Sequence, residues 1–482
     1  MIRLYDSVDG EVRELNLRDP GRVSMYVCGP TVDNLPHLGH GRFTLVWDVA
    51  RRWFTFRGLD VNYVSNITDI DDKIIARSLQ EDRSTAEVVA TYEALWWEAM
   101  DQLGVARPDE APHATDYVPE MIELISAFLE DDIAYTISDG VYLDVSRVPD
   151  YGLLAGQPLE SLRVGARVEA VEEKRSPLDF ALWKNAKAGE PSWPAPFGDG
   201  RPGWHTECVV MSLGLLGDDF DLHCGGLDLK FPHHENEIAQ SEGAHQCQYV
   251  NYWMHNGFVN VDKEKMSKSL GNFFTIREVL KKYDVEVVRF FILRAHYRSP
   301  LNYSDAHLDD AKKSLDRLYT ALNSLPVRPE PVEGERATQS IHASTSSART
   351  DLVDWSAPYA ARFKTAMNDD FNTPEAVAVL FDLANEVNRT KSAGAGAQLK
   401  ALGDVLGLLQ RDPEKFLQGD VNVQLTGVSA KGNVGSIDAL INERTAAKKA
   451  RNFAEADRIR KELLDAGIVL EDSPVGTTWR RA

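Results

Sequence analysis

The chain has 482 residues, of which 43% are hydrophobic and 26% are charged, and its formal net charge is −21. This length exceeds what a single hydrophobic core supports, so we expect two to four domains. The negative charge excludes a protein that binds nucleic acid over its whole surface, because such binding requires Lys and Arg along the phosphates. No apolar stretch is long enough to span a bilayer, so we expect no membrane partner and a cytoplasmic location.

The first hundred residues alternate strand and helix signals. SMYVCGPTV is a short apolar run typical of a strand, and HGRFTLVWDVARRWFTFRG has apolar residues at helical spacing before Gly58. VNYVSNIT predicts the next strand, and DDKIIARSLQE predicts the next helix. This order indicates a βαβ unit with a parallel sheet, and therefore an α/β fold.

The pattern changes twice further along the chain. Residues 108–203 are mixed and contain the hairpin-like AYTISDGVYLDV, which favours an inserted subdomain, and strand and helix signals resume from Trp204. After Lys281 the sequence becomes helical. The polar, proline-containing stretch 327–350 interrupts this helical region and is expected to be a disordered loop, because it has too little apolar surface to offset the entropy lost on ordering.

The cysteines are few, and none lies close to another in sequence. They stand at positions 28, 208, 224 and 247, a usage that favours a reduced compartment without disulfides and with metal binding or catalysis. Zinc takes thiolate, imidazole and carboxylate ligands, and His233 and Glu237 in FPHHENE lie on one helical face. We therefore predict one zinc ion per chain, held by Cys28, Cys208, His233 and Glu237. The alternative ligands are His205, His223, Cys224 and His234.

Two further motifs indicate a nucleotide site. PHLGHGR follows a strand and opens a helix, where free backbone N–H groups attract phosphate. Gly39 leaves room for a close approach, and His37 and His40 can donate hydrogen bonds to phosphate oxygens. In KMSKSLGN, residues 265–272, Lys265 and Lys268 in a polar loop suit a clamp on polyphosphate.

The order of strand, HLGH, long insertion, KMSKS and helical C-terminal region resembles the class I aminoacyl-tRNA synthetases. YVCGPTV, NITDIDDKI, GWHTEC, FPHHENE, DDFNTPEA and AEADRIRKELLDAGIVLEDSPVGTTWRR narrow the resemblance to the cysteinyl-tRNA synthetase family, over nearly the whole chain. The chain departs from the usual family pattern at Cys224, where glycine is common. We interpret Cys224 as a small buried thiol, and Cys247 likewise.

The resemblance implies a Rossmann-type parallel-sheet catalytic domain at 1–300, with the inserted subdomain at 108–203 and the KMSKS loop at 265–269. It further implies a helical domain at 301–415, a linker at 416–437 and a terminal tRNA anticodon-binding module at 438–482. It implies the same four zinc ligands and the catalytic residues His37, His40, Lys265 and Lys268. The substrate-binding and ATP-binding residues expected are Gly29, Thr31, Gly39, Thr68, Trp204, His223, Gly225, Gly226, Asp228, Ser267 and Lys268.

The implied activity has two steps. The carboxylate of L-cysteine attacks the α-phosphate of magnesium-bound ATP, and the cysteinyl group then passes to the terminal ribose of tRNA(Cys). Shape alone discriminates weakly between cysteine and serine, whereas zinc prefers sulfur, which gives the metal a selective role. Two alternatives stay open: a related ligase that couples activated cysteine to an amino sugar, and a non-catalytic zinc-binding regulator on the same fold.

The terminal module is comparatively basic in an acidic chain. Residues 438–482 carry nine Lys/Arg and eight Asp/Glu. Arg444, Lys448 and Arg451 recur on one helical face, and GTTWRR places Trp479 beside two arginines. We therefore expect these residues to contact phosphates and to stack on unpaired anticodon bases of tRNA.

Overall fold

The computed structural model describes residues 1–156, 173–245, 248–261, 264–266, 272–325, 353–418, 434–473 and 476–481. The predicted loop 327–350, residues Ser267 and Lys268, Cys247 and most of the predicted linker lie outside these ranges. The described chain divides into two compact units. Unit 1 contains the described parts of Met1–Asp309, 353–379 and Val405–Gly407, and unit 2 contains the described parts of the remainder.

The centre of unit 1 is a four-stranded parallel sheet. Its strands lie in the spatial order Val250–Asn256, Phe220–Gly226, Arg22–Val27, Asp60–Val64. The second and third strands are buried along nearly their whole length, which explains their apolar sequences. After Arg22–Val27, the chain forms the strand Asp60–Val64 on one side of it and later the strand Phe220–Gly226 on the other side. The predicted α/β fold with a parallel sheet is therefore confirmed.

Local sequence sets where the flanking helices begin. The helix Leu38–Phe56 begins with a cap from His37, which precedes it, and ends at Phe56, with Arg57 as its C-cap just before the predicted stop at Gly58. The helix Thr85–Gln102 begins at a capping box in which the Ser84 and Glu87 side chains each accept from the other residue's backbone N–H. The predicted helix in DDKIIARSLQE is also present, as Asp72–Glu81.

The region between the two halves of the parallel sheet forms a structure of its own within unit 1. It contains the helix Val118–Glu130 and a four-stranded antiparallel sheet with its own hydrophobic core. The predicted hairpin is the first pair of this sheet. The four strands are Ala134–Ile137, Gly140–Leu143, Phe180–Asn185 and Gly200–Pro202.

The remaining elements are mostly helical, as predicted after Lys281. The helices that flank or follow the parallel sheet are Trp204–Leu216, Glu235–His245, Ile276–Leu280, Val285–Leu293, Asp305–Asn323, Pro358–Asn368, Thr373–Thr390, Ala393–Val405, Pro413–Gln418, Val434–Lys449 and Phe453–Asp465. The short strands outside the two larger sheets are Arg3–Asp6, Glu11–Glu14, Val259–Val261, Glu264–Lys265, Leu301–Tyr303, Ile468–Ser473 and Gly476–Arg481. No helix among the described residues is long and apolar enough to cross a membrane.

Candidate active site

The fold places the candidate site at one edge of the parallel sheet. The strands Arg22–Val27 and Phe220–Gly226 are neighbours, and the strand order reverses between them. In open α/β sheets, ligands bind outside the carboxyl ends of the strands at such a switch point. Cys28 directly follows the first of these strands, and the Gly225–Gly226 pair ends the second. The predicted ligand residues therefore lie where this fold provides a crevice.

Four buried side chains meet at this edge, and they are the four predicted metal ligands. The Cys28 and Cys208 Sγ atoms are 3.8 Å apart, and Cys208 Sγ is 3.5 Å from His233 Nε2. The Glu237 Oε1 atom lies 3.0 Å from His233 Nε2 and 3.8 Å from Cys28 Sγ. In a tetrahedral zinc site with ordinary bond lengths, the sulfur–sulfur edge measures about 3.8 Å and a sulfur–nitrogen edge about 3.6 Å. The donor set therefore fits a metal of that kind.

A shell of hydrogen bonds orients these side chains. The His233 Nδ1 atom lies 2.8 Å from His205 Nδ1, and the indole of Trp204 stacks on the His233 ring with 4.1 Å between centroids. The second oxygen of Glu237 lies 2.8 Å from His223 Nε2. Outer partners of this kind hold metal ligands in one rotamer and tautomer. His205 and His223 thus contact the four-residue cluster from outside it.

The electrostatics of the cluster favour a cation. The hydrogen bond from Cys28 is the main cause that lowers the pKa of Cys208 to about 6. Burial opposes protonation of His233, but Glu237 and Cys208 outweigh it and raise the pKa of His233 to about 10. The raised pKa means that His233 keeps a proton more readily than an ordinary imidazole does. Metal binding would displace such protons, because thiolate and neutral imidazole are the binding forms.

Two of the alternative ligands, His223 and His234, lie next to the predicted set and could bind a metal together with two of its residues. His234 and His223 form a second buried group with Cys28 and Glu237, whose candidate ligand atoms all lie within 4.8 Å of one another. The sequence could not rank His233 against His234 by spacing alone, because both lie on the same face as Glu237. Cys224 is fully buried, as predicted, and belongs to neither group. Cys28, Cys208 and Cys224 are free thiols.

The HLGH motif begins the helix Leu38–Phe56. The Nδ1 atom of His37 accepts from the backbone N–H groups of Gly39, at 3.1 Å, and His40, at 3.4 Å. The Nδ1 atom of His40 accepts in turn from the His37 N–H at 3.2 Å, and the two rings stack at 3.8 Å. Because both Nδ1 atoms act as acceptors, the neutral rings carry their proton on Nε2. A Cβ on Gly39 would lie 2.8 Å from the His37 ring, so a larger residue would displace that ring from its capping position.

A second group of predicted residues lines the crevice beside Cys28. Thr31 and Thr68 form an isolated parallel bridge, and Thr68 is buried. A Cβ on Gly29 would lie 1.5 Å from the Asn66 backbone oxygen, so only glycine fits. The Thr68 hydroxyl donates to Glu207 at 2.9 Å. The sequence interpretation missed Asn66 and Glu207; the position of Glu207 directly before Cys208 in GWHTEC was the available signal.

The described part of the KMSKS region lies against Asp228. The Lys265 ammonium is 3.2 Å from the Asp228 carboxylate and 4.3 Å from the centroid of the Phe258 ring. The Phe258 carbonyl accepts a hydrogen bond from the buried Arg42 guanidinium at 2.6 Å. Arg42 is part of the helix that HLGH begins, and sequence interpretation did not single it out. It connects that helix to the strand pair carrying Lys265.

In the terminal module, which lies in unit 2, two residues predicted to contact tRNA are buried, so these two predictions were wrong. Its helices Val434–Lys449 and Phe453–Asp465 pack on the hairpin of its last two strands. Arg444, expected to contact phosphate, is 2% exposed in its side chain and donates two hydrogen bonds to Asp472, at 2.8 and 2.7 Å. Trp479, expected to stack on bases, is 4% exposed and lies in the module's core. A small module has few large apolar side chains with which to build a core. Trp479 is therefore buried in that core and is not available at the surface.

Family models match the chain in three places. The tRNA synthetases class I (C) catalytic domain matches residues 14–313, the DALR domain matches 362–410, and the cysteinyl-tRNA ligase anticodon binding domain matches 434–480. The first of these covers more than half of the chain.

Curated relatives agree with these matches. The cysteine–tRNA ligases of Dechloromonas aromatica and Methylobacillus flagellatus are each 55% identical to this chain, with 100% of both sequences covered. Among solved structures, a ternary LeuRS–tRNA–LeuAMS complex from Agrobacterium radiobacter has a TM-score of 0.58 at 12% identity, covering 87% of each chain. Mycobacterium tuberculosis methionyl-tRNA synthetase with methionyl-adenylate has a TM-score of 0.54 at 15% identity, covering 80% of this chain and 89% of that one. These two similarities concern the fold, whereas the full-length identity to the ligases decides the family: the chain belongs to the cysteinyl-tRNA synthetase family of class I aminoacyl-tRNA synthetases.

Proposed function

We propose that this protein activates L-cysteine with ATP and transfers the cysteinyl group to the 3′-terminal ribose of tRNA(Cys). The observation that carries the proposal is the buried cluster of Cys28, Cys208, His233 and Glu237 at the sheet's switch point. Its donor set suits zinc, and its place in the fold suits an amino acid and a nucleotide. Full-length relatives named cysteine–tRNA ligase support the same activity.

In this proposal, the four-residue cluster selects the substrate thiol. When bound, zinc supplies a soft Lewis acid that favours a thiolate over a serine hydroxyl. His205 holds His233 in place and His223 holds Glu237, and all four ligands are buried, so water has little access to the cluster. Trp204, stacked on His233, covers one side of this site.

Adenylation takes place beside the cluster. A cysteine carboxylate oxygen attacks the α-phosphorus of magnesium-bound ATP, and the bond to the pyrophosphate oxygen breaks. We assign His37 and His40 to the α-phosphate, because they stand at the N-terminus of the helix Leu38–Phe56, where phosphate is favoured, and an imidazole N–H can donate to a phosphate oxygen. Lys265 and Lys268 are assigned to the departing pyrophosphate, and Asp228 to the ribose hydroxyls. These groups position the reactants and stabilise charge, and no enzyme nucleophile is needed.

We also propose the predicted domain boundaries, with residues 438–482 as the tRNA anticodon-binding module.

Within this module, the helix Phe453–Asp465 offers a more accessible surface for tRNA than Arg444 and Trp479 do. Phe453 is 63% exposed, and Arg460 and Lys461 are exposed on the same side of the helix, seven and eight residues later. An exposed aromatic ring beside two cations can stack on an unpaired base and contact its phosphate.

Two assays test the proposal. The purified protein should catalyse cysteine-dependent exchange of labelled pyrophosphate into ATP, and serine should not replace cysteine. It should then attach labelled cysteine to tRNA(Cys) transcript. Pyrophosphate exchange without tRNA charging would favour the ligase with an amino-sugar acceptor. The absence of both reactions would favour the non-catalytic regulator.

The tRNA surface has its own test. Arg460→Glu combined with Lys461→Glu should weaken tRNA(Cys) binding and reduce its dependence on salt, because fewer counterions are released. Cysteine-dependent pyrophosphate exchange should be unchanged. The exposed Lys400→Glu, in the helix Ala393–Val405 of the same unit, is a charge-reversal control with half the change in net charge. Equal tRNA affinity in the double variant and the control would place recognition elsewhere.

A further inference from the structure

Arg42 is a buried cation that the proposed mechanism does not use. It lies two residues after the HLGH motif, in the helix Leu38–Phe56, and its exposure is 0%. Burial lowers the pKa of Arg42 to about 10, so the guanidinium still carries its charge at neutral pH. Among the described residues, no Asp or Glu forms an ion pair with it, and its partners are backbone carbonyls. Burying a charge without an opposite charge is costly, so a role beyond stability is the simplest account of Arg42.

Arg42 donates hydrogen bonds to two segments that lie side by side. One bond, of 2.6 Å, goes to the Phe258 carbonyl. The others go to a turn before the strand Leu301–Tyr303, at the carbonyls of His296, Tyr297 and Ser299. The two segments are bonded to each other, because the Leu301 N–H donates to the same Phe258 carbonyl at 2.9 Å. Arg42 therefore fixes the HLGH helix to the place where these segments join.

The Phe258 end of this contact leads directly to Lys265. The strand Val259–Val261 begins at the next residue and pairs with the strand Glu264–Lys265, with Asn260 opposite Lys265. The Phe258 ring lies against the Lys265 ammonium, which is 4.3 Å from the ring centroid. A shift of Phe258 would therefore move Lys265 as well.

The start of the HLGH helix is bonded to the residues that follow the KMSKS motif. The Leu38 N–H donates to the Phe274 carbonyl at 2.9 Å, and the Ile276 N–H donates to the Pro36 carbonyl at 3.1 Å. These main-chain bonds attach the helix to the segment after the motif, whereas the Arg42 side chain attaches it to the strand pair in which the motif begins. A side-chain substitution can remove the second attachment while the first is retained.

We propose that Arg42 is a positioning residue for adenylation, which holds Lys265 at the distance from His37 and His40 that the reacting phosphates require. Arg42 does not touch the phosphates in this scheme; it acts through the Phe258 carbonyl and the strand pair that follows. A guanidinium suits this task because its planar fork has five N–H donors and can bond several carbonyls at once, whereas an ammonium is a compact charge on a flexible stem. The inference rests on the proposed function, from which it takes the roles of the two histidines and of Lys265.

A double-mutant cycle tests whether Arg42 acts through Lys265. Arg42→Met and Arg42→Lys would each be measured alone and combined with Lys265→Ala, in the zinc-loaded full-length protein. The readouts are the pre-steady-state rate of cysteinyl-adenylate formation, cysteine affinity, zinc content and melting temperature. Arg51→Met is the matched control, because Arg51 lies in the same helix and also donates to a backbone carbonyl, that of Arg107 at 2.6 Å, in the segment after the helix Thr85–Gln102.

We expect Arg42→Met to lower the adenylation rate by about 100-fold, the scale of a small misplacement of reacting groups, with cysteine affinity and zinc content retained. Arg42→Lys should recover only part of the rate, because it restores the charge without the fork. In combination with Lys265→Ala, the loss should be much smaller than the product of the two single losses, since both changes remove the same contact. Arg51→Met should leave the adenylation rate within a few-fold of wild type.

Three results would overturn the inference: an unchanged adenylation rate in Arg42→Met, losses that multiply in full with those of Lys265→Ala, or an equal loss of cysteine affinity. The last two would show a structural role. Arg42→Lys decides the question if Arg42→Met does not fold. If the wild type forms no cysteinyl-adenylate, the proposed function itself fails.

Discussion

Replacing Asp48 by Asn should destabilise unit 1 through the buried charge it leaves behind. Asp48 lies in the helix that HLGH begins, and its carboxylate contacts the buried Arg289 guanidinium and lies 2.9 Å from Arg52 Nε. Burial raises the pKa of Asp48, but Arg52 and Arg289 outweigh it and lower that pKa to about 2, from an ordinary value of 3.8. At about 1.36 kcal/mol per pKa unit, the interactions of the charged form contribute about 2.4 kcal/mol.

The variant also leaves Arg289 without its buried partner, a change that typically costs about 3 to 5 kcal/mol. We therefore expect Asp48→Asn to cost about 2 to 5 kcal/mol and to lower the melting temperature of the full-length protein by about 5 to 10 °C at pH 7. Scanning calorimetry measures this shift. Because the folded-state pKa is lowered, the contribution is complete above pH 4 and is lost as the pH falls toward 2. The difference between wild type and variant should narrow over that window.

Asp101→Asn is the control, because Asp101 pairs with Arg107 at 2.6 Å on the surface, where their side chains are 56% and 43% exposed. Exposed pairs of this kind contribute about 0 to 1 kcal/mol. If Asp48→Asn shifts the melting temperature no more than Asp101→Asn does, the burial argument is wrong.

Three other predictions concern function. Cys208→Ala should lower zinc content and cysteine affinity together while ATP affinity is retained, and Cys224→Ala should change neither; full zinc content with normal cysteine affinity in Cys208→Ala would contradict the ligand assignment. Lys268→Ala should raise the adenylation barrier by about 2 to 4 kcal/mol with cysteine affinity retained, because one preorganised charge contact is lost; a pre-steady-state rate within a few-fold of wild type would exclude that role. Shortening 327–350 to a few Gly/Ser residues should leave melting temperature and tRNA charging nearly unchanged, since loop-closure entropy varies slowly with length; a large loss of charging would mean that this segment contacts a partner.

Short-range patterns in the sequence were sufficient for the elements around the site. The helix Leu38–Phe56, the strands beside it and the hairpin at 134–143 follow from apolar spacing and from turn residues. These signals act over a few residues, so they can be read without knowing the fold. The donor chemistry of Cys28, Cys208 and the FPHHENE motif likewise pointed to zinc before any geometry was known.

Only the tertiary structure decided which side chains meet and which are hidden. Cys28 and Cys208 are 180 residues apart, and their 3.8 Å contact depends on the register of two strands and on the start of one helix. Burial of Trp479 and pairing of Arg444 depend on how two helices pack on a hairpin, which composition does not reveal. The hydrogen bond from the Thr68 hydroxyl to Glu207 joins two segments that are 139 residues apart in sequence. A sequence determines such contacts only through the whole fold, because each one is the outcome of many distant packing interactions.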